Sequence, residues 1–235
     1  MSSVSRRAFL VGTAMTGIWV RARVASAGAV PTDGDAWFWD IVGQIEAGPP
    51  VGGPSAGDID NSTFGVEAHR AGRENPHGTP PALTDFYLRA LFEPDTTDGR
   101  DWDVGFVWRT SSAMDALWWT IETDGTWSLN GCKWERTARS PQVLASDATC
   151  GRLDSPVLLQ ALVAGSRMAC SVNHGDVIHA RLPDQRDAGH IGILANAQDP
   201  HLRPSGATPY RGLAVWSLDG ADLSALPDKV PRSLC

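Results

Sequence analysis

From Asp101 to Asn130 the chain alternates apolar and polar positions through three runs separated by turns. Trp102, Val104, Phe106 and Trp108 share one parity, and Asp103, Gly105, Val107 and Arg109 the other. That period of two belongs to a strand with one face in a core. After the polar stretch TSSAMD, Leu117, Trp119 and Ile121 alternate with Trp118, Thr120 and Glu122. Thr123-Asp124-Gly125 supplies a turn, and Trp127 and Leu129 open a third strand. The pattern predicts an antiparallel meander. Upstream, residues 84–92 read as another strand, with Phe86, Leu88, Ala90 and Phe92 on one side and Tyr87, Arg89 and Leu91 on the other.

Downstream, residues 131–153 read as a polar insertion and 156–163 as a buried strand. Residues 167–172 and 176–181 form a predicted hairpin around Asn173-His174-Gly175, where positive φ suits Asn and Gly. Residues 189–195 and 213–218 complete the strands. One helix is predicted, over residues 36–47 and capped by Thr32 or Asp33. Trp37, Ile41 and Ile45 recur at i, i+4 and i+8, Phe38 and Val42 widen the stripe, and Gly48-Pro49-Pro50 ends it. Its apolar stripe makes it a lid on the sheets. Residues 48–82, rich in Gly, Pro, Asp and Asn, read as a wrapping loop with at most one or two short strands, 62–69 foremost. The glycine-rich residues 51–57 precede no helix and contain no Lys, so they read as a flexible connection rather than a phosphate loop. The fold class expected is all-β: a two-sheet antiparallel sandwich with one short N-terminal helix.

Composition changes this picture in two ways. Ten Trp are unusually many, and Arg carries nearly all the positive charge, since Lys133 and Lys229 are the only lysines. The first 27 residues look like an export signal: Ser5-Arg6-Arg7-Ala8-Phe9-Leu10, the apolar run VGTAMTGIWV, then Ala25-Ser26-Ala27. The run is too short for a stable membrane anchor. Removing residues 1–27 takes away four arginines and no acid, carrying the net charge from −7 to −11. So acidic a surface argues against nucleic acid or anionic lipid as partner. The expected location is periplasmic or extracellular, with the twin-arginine translocase as a partner during export and no membrane span in the mature protein. The expected organisation is a signal over 1–27, helix and wrapping loop over 28–82, sandwich over 83–220 and tail over 221–235.

In an oxidising compartment the four cysteines, Cys132, Cys150, Cys170 and Cys235, suggest two disulfides, with Cys132–Cys150 and Cys170–Cys235 the preferred pairing. No C-x-x-C marks a zinc ribbon or a redox centre.

DFYLRALFEPD, WDVGFVWR, LWWTIETDGTWSL, SVNHGDVIHARLPD and GHIGILA together resemble the laminin-G/concanavalin A-like jelly-roll superfamily over residues 84–218. They are similar, more narrowly, to bacterial exported or kinase-attached modules of that fold. The resemblance implies a concanavalin A-like jelly roll. It leaves function open, because lectins, carbohydrate-binding modules, glycoside hydrolases and protein binders share it. Hydrolase members carry Glu-x-Asp-x-x-Glu on a strand. Here Glu122-Thr123-Asp124 begins that pattern, but Trp127 stands at the third carboxylate position.

If Phe86, Leu88, Phe106, Trp108, Trp119, Ile121, Trp127 and Leu129 fill the core, the opposite face carries Tyr87, Arg89, Arg109, Trp118 and Glu122. Such a face offers an aromatic platform to a sugar ring, with charged groups for its hydroxyls. The competing reading covers Trp118 with the helix or the wrap. Asp98, Asp101 and Asp103 cluster where a strand begins and form the candidate calcium site, with Asp58 and Asp60 a second acidic pair. No other cofactor is indicated. The leading expectation is a non-enzymatic binding module for a carbohydrate or a cell-envelope component containing one. The alternatives are a divergent glycan-active hydrolase using Glu122 with Asp103 or Glu93, or a structural or interaction protein without a small ligand.

Overall fold

The computed structural model describes residues 35–60, 69–70, 82–97, 101–110, 117–135, 138–148, 151–175, 177–183, 188–195 and 207–226. One helix, α1 (Ala36–Glu46), precedes twelve strands among them. These are β1 (Gly52–Asp60), β2 (His69–Arg70), β3 (Phe86–Phe92), β4 (Asp103–Thr110), β5 (Leu117–Glu122) and β6 (Thr126–Glu135). They continue with β7 (Ala138–Ala148), β8 (Val157–Ala164), β9 (Arg167–Val172), β10 (Val177–Arg181), β11 (His190–Ala195) and β12 (Ala207–Ser217). Sheet 1 runs β1-β12-β3-β8-β9-β10 and sheet 2 runs β2-β11-β4-β5-β6-β7. Every pairing is antiparallel.

The alternating parity of the sequence becomes the sandwich core. Phe86, Leu88, Ala90 and Phe92 of sheet 1 meet Phe106, Trp108, Trp119, Ile121, Trp127 and Leu129 of sheet 2 in one cluster. All eight residues assigned to the core from the sequence lie in it. β3 and β8 are largely apolar on both faces, Arg89 and Gln160 apart, because α1 covers part of the outer face of sheet 1. Tyr87, Leu162, Ala169, Ala214 and Trp216 form a second cluster with Phe38, Ile41 and Val42 of α1. The helix is thus a lid on sheet 1. Sheet 2 has no helix on its outer face among the described residues.

Polar contacts fasten both ends of α1. At its start, Asp35 Oδ1 lies 3.4 Å from His179 Nε2 on β10, and the Val177 amide donates to Asp35 Oδ2 at 3.4 Å. Past its end, the Trp216 indole donates to the Gly48 carbonyl at 3.0 Å. Trp37 packs on His179, and Trp39 on His174, with centroids 5.6 and 5.5 Å apart.

Burial lowers the pKa of His179, opposed by its hydrogen bond to Asp35 and that group's charge. Burial also lowers that of His174, opposed by Glu46 and reinforced by Arg89. Both imidazoles therefore bind protons less readily folded than unfolded, and stability rises with pH through that range. Unfolding midpoints are expected to fall as pH drops below the ordinary histidine value of 6.5. The double variant His174→Asn, His179→Gln is expected to flatten that slope. A urea titration at a series of pH values checks it; an unchanged slope refutes the assignment.

Several sequence expectations are corrected. Residues 52–60 are not a flexible connection: they form β1, the edge strand beside β12. An edge strand tolerates Gly53 and Pro54 because its outer ladder has no partner strand among the described residues, and the two register shifts along this pairing accommodate them. The expected strand over 62–69 lies outside the described residues except for His69. Within the expected polar insertion at 131–153, residues 131–135 and 138–148 are instead strand, the arms of β6 and β7 paired from Thr126↔Ala148 to Glu135↔Ala138. The residue preceding α1 is Asp35, which makes no capping hydrogen bond of its own. Thr32 and Asp33 lie outside the described residues. In the β9–β10 turn, positive φ falls on Asn173 and His174 rather than on Gly175. Cys170 is a free thiol wholly buried in the sandwich core. The expected Cys170–Cys235 bridge is absent because β9 turns the Cys170 side chain inward between the sheets. Cys150 and Cys235, and the side chain of Cys132, lie outside the described residues. No described helix is long and apolar enough to cross a membrane.

Candidate functional site

β5 alternates about its own axis: Leu117, Trp119 and Ile121 enter the core, while Trp118, Thr120 and Glu122 take the outer face of sheet 2. The cross-strand register carries that face sideways. Trp118 stands between Val107 and Asn130, and Thr120 between Gly105 and Ser128. Glu122 lies opposite Asp103.

Thr120, Ser128 and Asn130 form a polar row at the middle of the face. The Thr120 and Ser128 hydroxyls are 3.0 Å apart, and the Asn130 side-chain Nδ2 donates to Ser128 Oγ at 2.8 Å. All three are buried, whereas Trp118 and Glu122 are half-buried. The row is buried, with Trp118 beside Asn130 at one end and the Glu122 carboxylate beyond Thr120 at the other. Sequence reasoning missed Ser128 and Asn130. Their signal was available, since both have the opposite parity to Trp127 and Leu129.

The acidic end is positioned by a clasp between β4 and the β5–β6 turn. The Trp102 amide donates to Thr123 Oγ1 at 2.7 Å, and the Thr123 amide and hydroxyl both donate to the Trp102 carbonyl, at 2.9 and 3.1 Å. Gly125, at φ 89, closes the turn with its amide on the Glu122 carbonyl. Asp101, Asp103, Glu122 and Asp124 are thereby gathered. Burial raises the pKa of Glu122, followed by the charges of Asp124, Asp103 and Asp101.

The five residues expected to share one binding face are divided between two. β3 belongs to sheet 1 and β5 to sheet 2, so outward parity on each strand points in opposite directions. Trp118 and Glu122 lie on the outer face of sheet 2. Tyr87 and Arg89 lie on the outer face of sheet 1, where Tyr87 is fully buried beneath α1. Its hydroxyl donates to Glu46 Oε1 at 2.7 Å and accepts from Gln160 Nε2 at 2.8 Å. Burial, then the Glu46 charge, pushes the Tyr87 phenol well up. Arg89 pairs with Glu46 at 2.8 Å and lies 5.4 Å from the Trp216 ring centre. Arg109 is in β4, and its side chain lies outside the described residues. The helix that was one candidate cover for Trp118 covers the other sheet.

Of the candidate calcium ligands, Asp98 lies outside the described residues. Asp101 is exposed and 3.7 Å from Arg152; Asp103 is buried opposite Glu122. No group of three ligating side chains forms a metal cluster among the described residues. Asp58 is on β1, in sheet 1, whereas Asp101 and Asp103 lie at the start of β4 in sheet 2.

Two packed antiparallel sheets of this order define a β-sandwich of the jelly-roll type. No protein-family model matches the sequence, and no curated protein matches it. Among solved structures the chain is similar to a carbohydrate-binding module from Bacillus subtilis, at 16% identity and TM-score 0.41, covering 57% of this chain and 74% of that one. It is similar to a galectin of Caenorhabditis elegans, at 14% identity and TM-score 0.37, covering 69% and 89%. An alginate lyase from Pseudomonas aeruginosa shares 18% identity at TM-score 0.34, covering 60% and 69%. At this distance the likeness carries no argument about ligand or chemistry.

Proposed function

We propose that this chain is an exported, non-enzymatic binding module for a carbohydrate or a carbohydrate-bearing envelope component. The observation that supports it is the outer face of sheet 2, where the half-buried Trp118 flanks the buried Thr120–Ser128–Asn130 row. A sugar ring presents apolar C–H groups on its faces and hydroxyls at its edge. An aromatic plane beside fixed hydroxyl and amide groups matches both. Calcium at Asp101 and Asp103, with Asp98, belongs to the same proposal as a ligand-side cofactor at the acidic end.

The test uses protein recovered from the exported fraction of a host with a working twin-arginine translocase. Changing Arg6 and Arg7 together to Lys is expected to empty that fraction. Intrinsic Trp fluorescence is then titrated with a panel of oligosaccharides, with and without Ca²⁺. A saturable change is expected, weakened at least tenfold in Trp118→Ala, the equivalent of about 1.4 kcal/mol. No response to any glycan rejects the reading.

One observation favours a second reading. Asp103 and Glu122 are direct cross-strand partners, a placement that brings Cβ atoms to roughly 4.5–5.5 Å. Burial and the neighbouring carboxylates favour the protonated form of Glu122, as suits a general acid. Release of new reducing ends from the same panel, lost in Glu122→Gln and Asp103→Asn, would establish a glycan hydrolase instead.

A further inference from the structure

The outer face of sheet 1 holds a second feature, on the side of α1 that carries Trp39, Gly43 and Glu46. These positions recur at i, i+4 and i+7 and therefore form one stripe. Trp39 and Glu46 are half-buried. Between them Gly43 leaves a notch: a Cβ built there meets nothing within 4 Å. The stripe looks onto sheet 1. Arg89 and Gln160 are cross-strand partners on its outer face, and Leu91 and Leu158 pair one row further along. Both leucines are only half-buried, unlike the apolar residues beneath α1 itself. His174 closes the end near Trp39, with ring centres 5.5 Å apart. The Arg89–Glu46 ion pair, 2.8 Å long with side chains 38% and 27% exposed, closes the other.

Two polar atoms here are buried without a hydrogen-bond partner among the described residues: the Trp39 indole N–H, a donor, and Gln160 Oε1, an acceptor. Gln160 uses its amide nitrogen on the Tyr87 hydroxyl, leaving the carbonyl oxygen unused. An orphaned buried donor or acceptor costs about as much as a lost hydrogen bond. One of each kind beside a notch, an aromatic ring and an apolar floor is a specific complement. Hydroxyl groups both donate and accept, so a polyol satisfies both atoms. The charges of Arg89 and Glu46 cancel, so the groove selects no net charge.

We propose that the groove between α1 and the outer face of sheet 1 binds a neutral polyhydroxylated ring, a single sugar residue. The ring stacks on Trp39 and lies over Leu91 and Leu158, and its hydroxyls engage Gln160 Oε1, the Trp39 indole and the Arg89–Glu46 pair. Arg89, its side chain 38% exposed, moves aside to admit it. This site is independent of the face around Trp118: the two lie on opposite outer faces of the sandwich, and either reading survives failure of the other.

The experiment follows the Trp indole N–H signals of ¹⁵N-labelled protein by NMR. The probes are the methyl glycosides of glucose, galactose, mannose and fructose. Loss of a signal in Trp39→Phe assigns Trp39. A saturable shift of the Trp39 signal is expected with at least one glycoside, abolished in Gly43→Leu and retained in Trp118→Ala. Leu is the better helix former and enters open space, so Gly43→Leu is expected to melt at or above the native midpoint. Gly43→Gln repeats the test with a polar side chain. A Trp39 signal unmoved by every glycoside up to about 100 mM, well above a Kd of about 10 mM, overturns the proposal. So does a shift that persists in both Gly43 variants.

Discussion

Replacing Gly105 by Ala is expected to cost about 3 kcal/mol of stability, at the upper end of overpacking effects. Gly105 sits in the middle of β4, between Thr120 of β5 and Leu194 of β11. An ideal Cβ there would lie 2.0 Å from the Trp119 carbonyl oxygen and 2.9 Å from the Thr120 Cα. Those are backbone atoms, which no rotamer change can move aside. Accommodation requires β4 and β5 to part, breaking the ladder that holds the buried polar row. Urea unfolding followed by near-ultraviolet circular dichroism reads the loss. Gly43→Ala, where the added methyl meets nothing, is the matched control and is expected to stabilise by up to about 1 kcal/mol. A Gly105→Ala midpoint equal to the native one would show that the strands do not approach so closely.

Trp119→Ala is expected to cost about 3–5 kcal/mol and Trp119→Phe much less, about 1 kcal/mol. Trp119 is wholly buried at the centre of the sandwich, opposite Phe106 and Leu129 on the flanking strands. Its ring lies 6.2 Å from that of Phe106. Alanine leaves a cavity that two hydrogen-bonded sheets cannot collapse to fill. Phenylalanine keeps most of the apolar volume. It also removes an indole N–H that has no hydrogen-bond partner among the described residues, a group whose burial carries its own cost of about 1–3 kcal/mol. The gap between the two variants is therefore the discriminating quantity. Equal destabilisation by Phe and Ala in chemical denaturation would mean that the indole N–H is bonded.

The parity of Trp102 to Leu129 was enough to separate core from outer face on three consecutive strands, because a strand has only two sides. The apolar stripe of Trp37, Ile41 and Ile45 was likewise enough to place a helix against a sheet. Parity does not say which sheet a strand joins. Tyr87 and Trp118 both point outward, and only the crossing of the chain between β3 and β4 puts them on opposite outer faces. Gly and Pro in residues 52–60 concealed β1, since propensity counts their cost in a central strand and this one lies at an edge.

The candidate sites divide along the same line. Trp118, Glu122 and Asp103 were legible one strand at a time; the parity of Ser128 and Asn130 was legible too, but their place beside Thr120 and Trp118 needed the register. The groove beside α1 was not legible at all, because it joins residues more than a hundred positions apart across a helix and two strands. The amino-acid sequence determined the helix, the periodic strands and the side their residues face, since those depend on periods of two and 3.6 residues, but not β1 or β7, which lack that period. The tertiary structure alone decided which faces meet, because sheet order and helix docking depend on contacts between distant segments.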